Sequence, residues 1–237
     1  MAVIATVSAT SGTGSTVTSS AIDTTGATCI FIVQGWYSGG SGISSFTDSN
    51  GNTWTARTTY SGGSFSAVRI MYCRLPTVGS GHTFSQTSAA GYGSFCVLAM
   101  DDDLEASPFD VENGGGAASV TTRQPGSVTP TQNGELCIVG STFQPAGSTI
   151  SIDGGYSIGV QETPQSGISF GCGVAWLLQT TAAATNPTVT CSSSGDLAAC
   201  IATFKVTGGG GGGGTTPLGI ITPNQGIAFA SAARRSI

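Results

Sequence analysis

The chain has 237 residues, 37 of them glycine, with 8% charged residues and a formal net charge of −5. Ordinary soluble domains carry roughly a quarter charged residues, so this surface has to be built from Ser, Thr, Asn, Gln and Gly, which opposes helices and favours short strands. The negative charge and the single lysine, Lys205, argue against a nucleic-acid partner, and no apolar run approaches the ~20 residues of a membrane span.

The N-terminal residues lack the basic and apolar regions of a secretory signal. Strand signals bounded by Gly, Ser, Asn, Asp or Pro then recur at 3–8, 14–20, 28–36, 43–47, 52–58, 65–74, 81–86 and 92–100. They continue at 118–121, 135–143, 148–152, 156–161, 167–178, 187–191 and 197–206. A helical turn is predicted only at 103–108, and no segment sustains an apolar period of 3.6. Cys29, Cys73, Cys96, Cys137, Cys172, Cys191 and Cys200 sit mostly inside apolar strand runs, without metal-ligand spacing. They read as buried thiols acting as small hydrophobes in a protein folded in a reducing cytoplasm.

Two stretches run in the same order. "ATCIFIVQGW" and "GELCIVGSTF" each open a series of Asp-Gly hairpin, long amphipathic strand, Thr-rich strand and closing Cys strand. Tyr72 corresponds to Trp176 and Cys96 to Cys200 at an offset of 104, with Cys29 and Cys137 offset by 108. The expectation is a repeat over 28–103 and 135–207, its halves packed face to face in one jelly-roll-like β-sandwich over 1–207.

Seven glycines (208–214) then form a linker, followed by an apolar tail over 215–237. As a coil the linker spans about 14 Å. The tail reads as an attachment arm, with Leu218, Ile220, Ile221, Ile227 and Phe229 for apolar grooves and Arg234 and Arg235 for acidic groups on an acceptor.

Chemistry is sparse. His82, the only histidine, lies in "SGHTFS" with no local nucleophile or orienting acid, so no enzyme is expected. Crowded carboxylates can bind calcium, which makes Asp101, Asp102 and Asp103 the candidate metal ligands; a solvated loop is the simpler reading, and no cofactor is expected. Trp36, Tyr37, Trp54 and Tyr60 form a candidate sugar-stacking platform, against the commoner role of cross-strand packing.

"FTDSNGNTWTA", "SAVRIMYCRLPTVGSGHTFSQT", "FCVLAMDDDLEASPFDV" and "GSVTPTQNGELCIVG" together resemble a β-sandwich module of bacteriophage virion proteins and bacterial surface proteins. The likeness covers about residues 28–140, and the second half follows as a weaker echo. It implies a fold and a setting in assemblies, with no catalytic residues to carry over. The expected function is therefore a virion structural protein, made in the host cytoplasm, that decorates or cements the capsid exterior. Its expected partners are the major capsid protein or neighbouring copies, in a homo-oligomeric arrangement on the particle. The alternatives are a tail-fibre or receptor-binding module for host glycans, and a carbohydrate-binding bacterial surface protein.

Overall fold

In the segments Cys29–Tyr37, Ser94–Met100 and Glu135–Phe143, every residue except the terminal Tyr37 is buried. Successive strand residues point to opposite faces, so such segments need apolar packing on both sides of their sheet. The computed structural model describes residues 2–10, 16–39, 42–62, 65–88, 92–167 and 169–208, and it meets that demand with stacked layers. The arm residues Leu218, Ile220, Ile221, Ile227, Phe229, Arg234 and Arg235 lie outside the described residues.

Fifteen strands lie among the described residues. The first nine are β1 (Val3–Thr10), β2 (Thr16–Thr18), β3 (Cys29–Tyr37), β4 (Ile43–Asp48), β5 (Thr55–Ala56), β6 (Tyr60–Gly62), β7 (Ser66–Arg74), β8 (Phe84–Ser88) and β9 (Ser94–Met100). Then come β10 (Leu104–Arg123), β11 (Glu135–Phe143), β12 (Ile150–Ile152), β13 (Ser157–Glu162), β14 (Gly171–Gln179) and β15 (Val189–Val206). The chain is all-β in these residues. Residues 103–108, predicted as a helical turn, instead open β10: Leu104 pairs with Val206 and Phe109 with Phe204. Pairing with β15 outweighs the weak local preference of "DLEASP".

Twelve strands form one mixed sheet, ordered β1-β9-β3-β7-β6-β10-β15-β11-β14-β13, with β12 on β15 and β5 on β7. β2, β8 and β4 form a small second sheet. The large sheet turns back on itself. Its two halves join where β6 meets β10 in parallel at Gly62 and Gly116, and at the other edge Ser8 Oγ of β1 donates to Glu162 Oε2 of β13 at 2.6 Å. The result is barrel-like and nearly closed.

Where the sequence predicts one core, three apolar clusters are found. The central one lies between the halves, with Phe31, Ile70 and Leu98 facing Ile138, Val174 and Phe204. A second, with Ile32, Met71, Phe84 and Phe95, lies between the strands β1, β9, β3 and β7 of the large sheet and the small sheet. The third, with Cys137, Val139, Ile150 and Ile201, lies under β12 and the outer part of β15. The predicted alternation in β7 holds, since Val68, Ile70 and Tyr72 face the central cluster and Met71 faces away from it.

Strand registers in the two halves coincide. Phe31 pairs with Tyr72 and Leu98, while Ile138 pairs with Trp176 and Ala202. The offset is 104 for the partners, as predicted, but 107 for the central strand (Phe31 to Ile138). Cys29, which pairs with Arg74 and Met100, therefore matches Leu136, which pairs with Leu178 and Phe204. The match with Cys137 is one residue off. A one-residue slip reverses faces, and Cys137 indeed faces the outer cluster while Cys29 and Leu136 face the central one.

Candidate functional site

The four aromatics of the predicted platform separate. Trp36 is buried, with the Arg69 guanidinium 5.5 Å from its ring centre. Trp54 packs edge-on against Phe46 inside the first half and donates its indole N–H to Asp48 Oδ2 at 2.8 Å. Tyr60 packs against the central cluster. Cross-strand packing takes these three, as the commoner role of such residues would have it. Tyr37 lines a groove.

Tyr37 is the last residue of β3, at the end of the body where β7, β9 and β14 begin and β11 finishes. Loops from both halves therefore converge there. Their close approach depends on Gly35, where a side-chain carbon would meet Thr142 Oγ1 at 2.6 Å and Gly171 O at 3.2 Å. The resulting groove holds about 590 Å³. Tyr37 and Phe65 stack with ring centres 5.5 Å apart and planes 16° from parallel. Tyr92 meets Tyr37 edge-on at 6.0 Å, and Phe170 lies tilted beneath at 6.1 Å. Phe65 and Tyr92 are 41% and 40% exposed, so part of each ring remains open to solvent. Gln144, Pro145, Gln165 and Ser166 also line the groove, and none of its described lining residues is charged.

Phe65, Tyr92 and Phe170 escaped the sequence reading. Each sits among Gly and Ser just before a strand, in "GGSF", "AGYG" and "GISF". An aromatic in a segment that needs none for packing was the signal available.

His82 has more partners than its sequence neighbourhood indicates. Its Nε2 lies 3.1 Å from Asp48 Oδ1 and its Nδ1 lies 3.0 Å from Thr24 Oγ1, giving an acid–imidazole–hydroxyl chain. The chain is sealed. Asp48 and His82 side chains are fully buried, Thr24 is fully buried, and the imidazole stacks on Phe84 with ring centres 4.3 Å apart. Thr24 Oγ1 also accepts from Gly79 N–H at 3.1 Å. A nucleophile needs contact with its substrate, and this hydroxyl is enclosed by its own loop. The arrangement ties the 24–28 and 77–83 loops to β4.

The acidic run does not converge on a cation site. Asp101 accepts from Ala2 N–H, Asp102 is buried, and Asp103 uses its backbone oxygen to hold Thr207. Among the described residues no three His, Cys, Asp or Glu side chains gather in a way that could hold a metal ion. Burial, reinforced by Asp101 and Asp103, pushes the Asp102 carboxyl up to about 6. All seven cysteines are buried free thiols, with Cys96 and Cys172 in sulfur contact at 2.8 Å across the two halves.

Against known proteins, the chain matches no family model, no curated protein and no solved structure.

Proposed function

We propose that this chain is a structural protein of a bacteriophage virion, displayed on the capsid exterior as a decoration or cement module and held there by its C-terminal arm. One observation carries the reading: the root of the arm and the aromatic groove lie at opposite ends of the body. Strand β15 finishes at Val206 against Leu104, and Thr207 N–H is clasped by Asp103 O at 2.7 Å. Along β11, Glu135 pairs with Lys205 at that end, while Phe143 pairs with Leu197 at the groove end. Nine strand residues separate the two ends by about 30 Å. A body anchored at one end and open at the other suits display on a surface.

The strand order supports a finer description, two jelly rolls in tandem. In the first half β1-β9-β3-β7 forms one sheet and β2-β8-β4 the other. In the second, the N-terminal part of β10 with β15, β11 and β14 matches the first sheet, and β12 with the outer parts of β10 and β15 matches the second. Jelly rolls recur in viral capsid proteins and in lectins, an analogy of fold only. The resemblance of residues 28–140 to virion modules adds the setting, and a capsid subunit or a neighbouring copy is the partner proposed for the arm. An arm linked by flexible glycines strengthens a weakly held subunit by raising its effective concentration at the acceptor.

Deleting residues 208–237 tests this directly. The truncated protein is expected to keep its β-rich circular dichroism spectrum and cooperative melting yet to be depleted from purified particles. Incorporation at the level of the full chain would refute the attachment role.

A further inference from the structure

We infer that the groove between the halves is a binding site for a neutral saccharide. The inference goes beyond particle attachment and does not depend on it.

The rings come first. Tyr37 and Phe65 lie nearly parallel, and Tyr92 stands edge-on beside them with 40% of its surface exposed. Together they offer flat aromatic faces to a ligand, as needed by the C–H face of a pyranose ring. Gln144, Gln165 and Ser166 line the same groove, and their side chains carry two amides and a hydroxyl. Neither amide is hydrogen-bonded to another described residue. An amide both donates and accepts, which matches a vicinal pair of sugar hydroxyls.

The segments carrying these groups are braced. Ser169 N–H donates to Gln165 O at 3.1 Å, Gln165 N–H donates to Ser169 Oγ at 3.2 Å, and Ser148 N–H donates to Pro145 O at 3.1 Å. Such bracing favours a preformed site, and about 590 Å³ falls in the range of small-ligand pockets.

Charge decides among ligand classes. Exposed aromatics also stack nucleic-acid bases, but phosphates then need cations, and no Lys or Arg is among the described residues that line the groove. An acidic sugar would lack the same partner. An apolar peptide or lipid would offer no partner to the two glutamine amides and the serine hydroxyl among the lining residues, and covering them is costly. A neutral, polyhydroxylated ring satisfies both the aromatic rings and these polar groups.

The test uses the full-length chain on an array of neutral and acidic oligosaccharides, followed by calorimetry with soluble hits and with cellohexaose, maltohexaose and chitohexaose. Binding to at least one neutral oligosaccharide is expected, weakened roughly tenfold by Phe65→Ala or Tyr92→Ala. Tyr37→Phe, which keeps the ring, should retain it. Phe65 and Tyr92 are exposed, so both alanine variants should melt like the parent, and a melting scan separates lost contact from lost fold. The inference is overturned if no neutral oligosaccharide binds, if only acidic ones do, or if the Phe65→Ala/Tyr92→Ala double variant binds as well as the parent.

Discussion

Asp48 holds more of the first half together than any other polar side chain described. Its carboxylate accepts from Asn50 N–H at 2.9 Å, Asn52 Nδ2 at 3.1 Å, Trp54 Nε1 at 2.8 Å and His82 Nε2 at 3.1 Å. Removing it strands several buried donors, each costing about 1–3 kcal/mol. Asp48→Ala should therefore lose at least about 3 kcal/mol in urea unfolding, with Asp48→Asn losing less because it keeps an acceptor. Asp102 behaves in the opposite sense. Burial raises its carboxyl from 3.8 to about 6, so the folded state binds a proton more tightly than the unfolded chain. The associated stability is fully present below pH 3.8 and is lost as pH rises through about 6. Asp102→Asn should thus melt higher than the parent at pH 7, the gap closing as pH approaches 4. A gap independent of pH would contradict the assignment. His82 shows the limit of sequence at this scale: its partners Asp48 and Thr24 are 34 and 58 residues away, and no local pattern announces either.

At the scale of elements, legibility followed apolar content. β3, β9 and β11 announce themselves as near-continuous apolar runs because both of their faces are covered. β10 gives no such signal. It contains acids, Pro108 and Gly114 to Gly116, and its ladder with β15 slips between Leu104 and Phe109, which places Pro108 where no ladder N–H is required. The sequence predicts two strands, 187–191 and 197–206, because "CSSSGD" interrupts the apolar pattern, whereas β15 spans both and pairs with β10 and β12 on either side of a register shift. The glycines of β10 have a use that composition alone does not reveal. At the seam between the halves, a side-chain carbon on Gly116 would meet Gly62 Cα at 2.8 Å, and one on Gly114 would run into the Tyr60 ring. Gly116→Val should pry β6 from β10 and cost about 3 kcal/mol, read as a lower urea midpoint. An unchanged midpoint would show that the seam yields freely.

Among the described residues, the large sheet folds back around a central apolar layer, and that layer is why the sequence points to a single core. The same alternation that packs one face inward packs the other against the small sheet in the first half and against β12 and the outer part of β15 in the second, so three clusters arise where one was expected. The groove was illegible for a related reason. Tyr37, Phe65 and Tyr92 belong to the first half, Gln144, Gln165 and Phe170 to the second, and only the stacking of the halves brings them together. The tail proposed as an arm lies outside the described residues, and Val206, where β15 ends, stands at the end remote from the groove. We propose that this body is held to a particle by that end. Electron microscopy of intact particles tests it most directly. The predicted result is density for the two-half body outside the capsid, with Val206 and Thr207 toward the shell and Phe65 and Tyr92 toward solvent. A body lying inside the shell, or one seated with its groove against the capsid and its Val206 end pointing away, would contradict it.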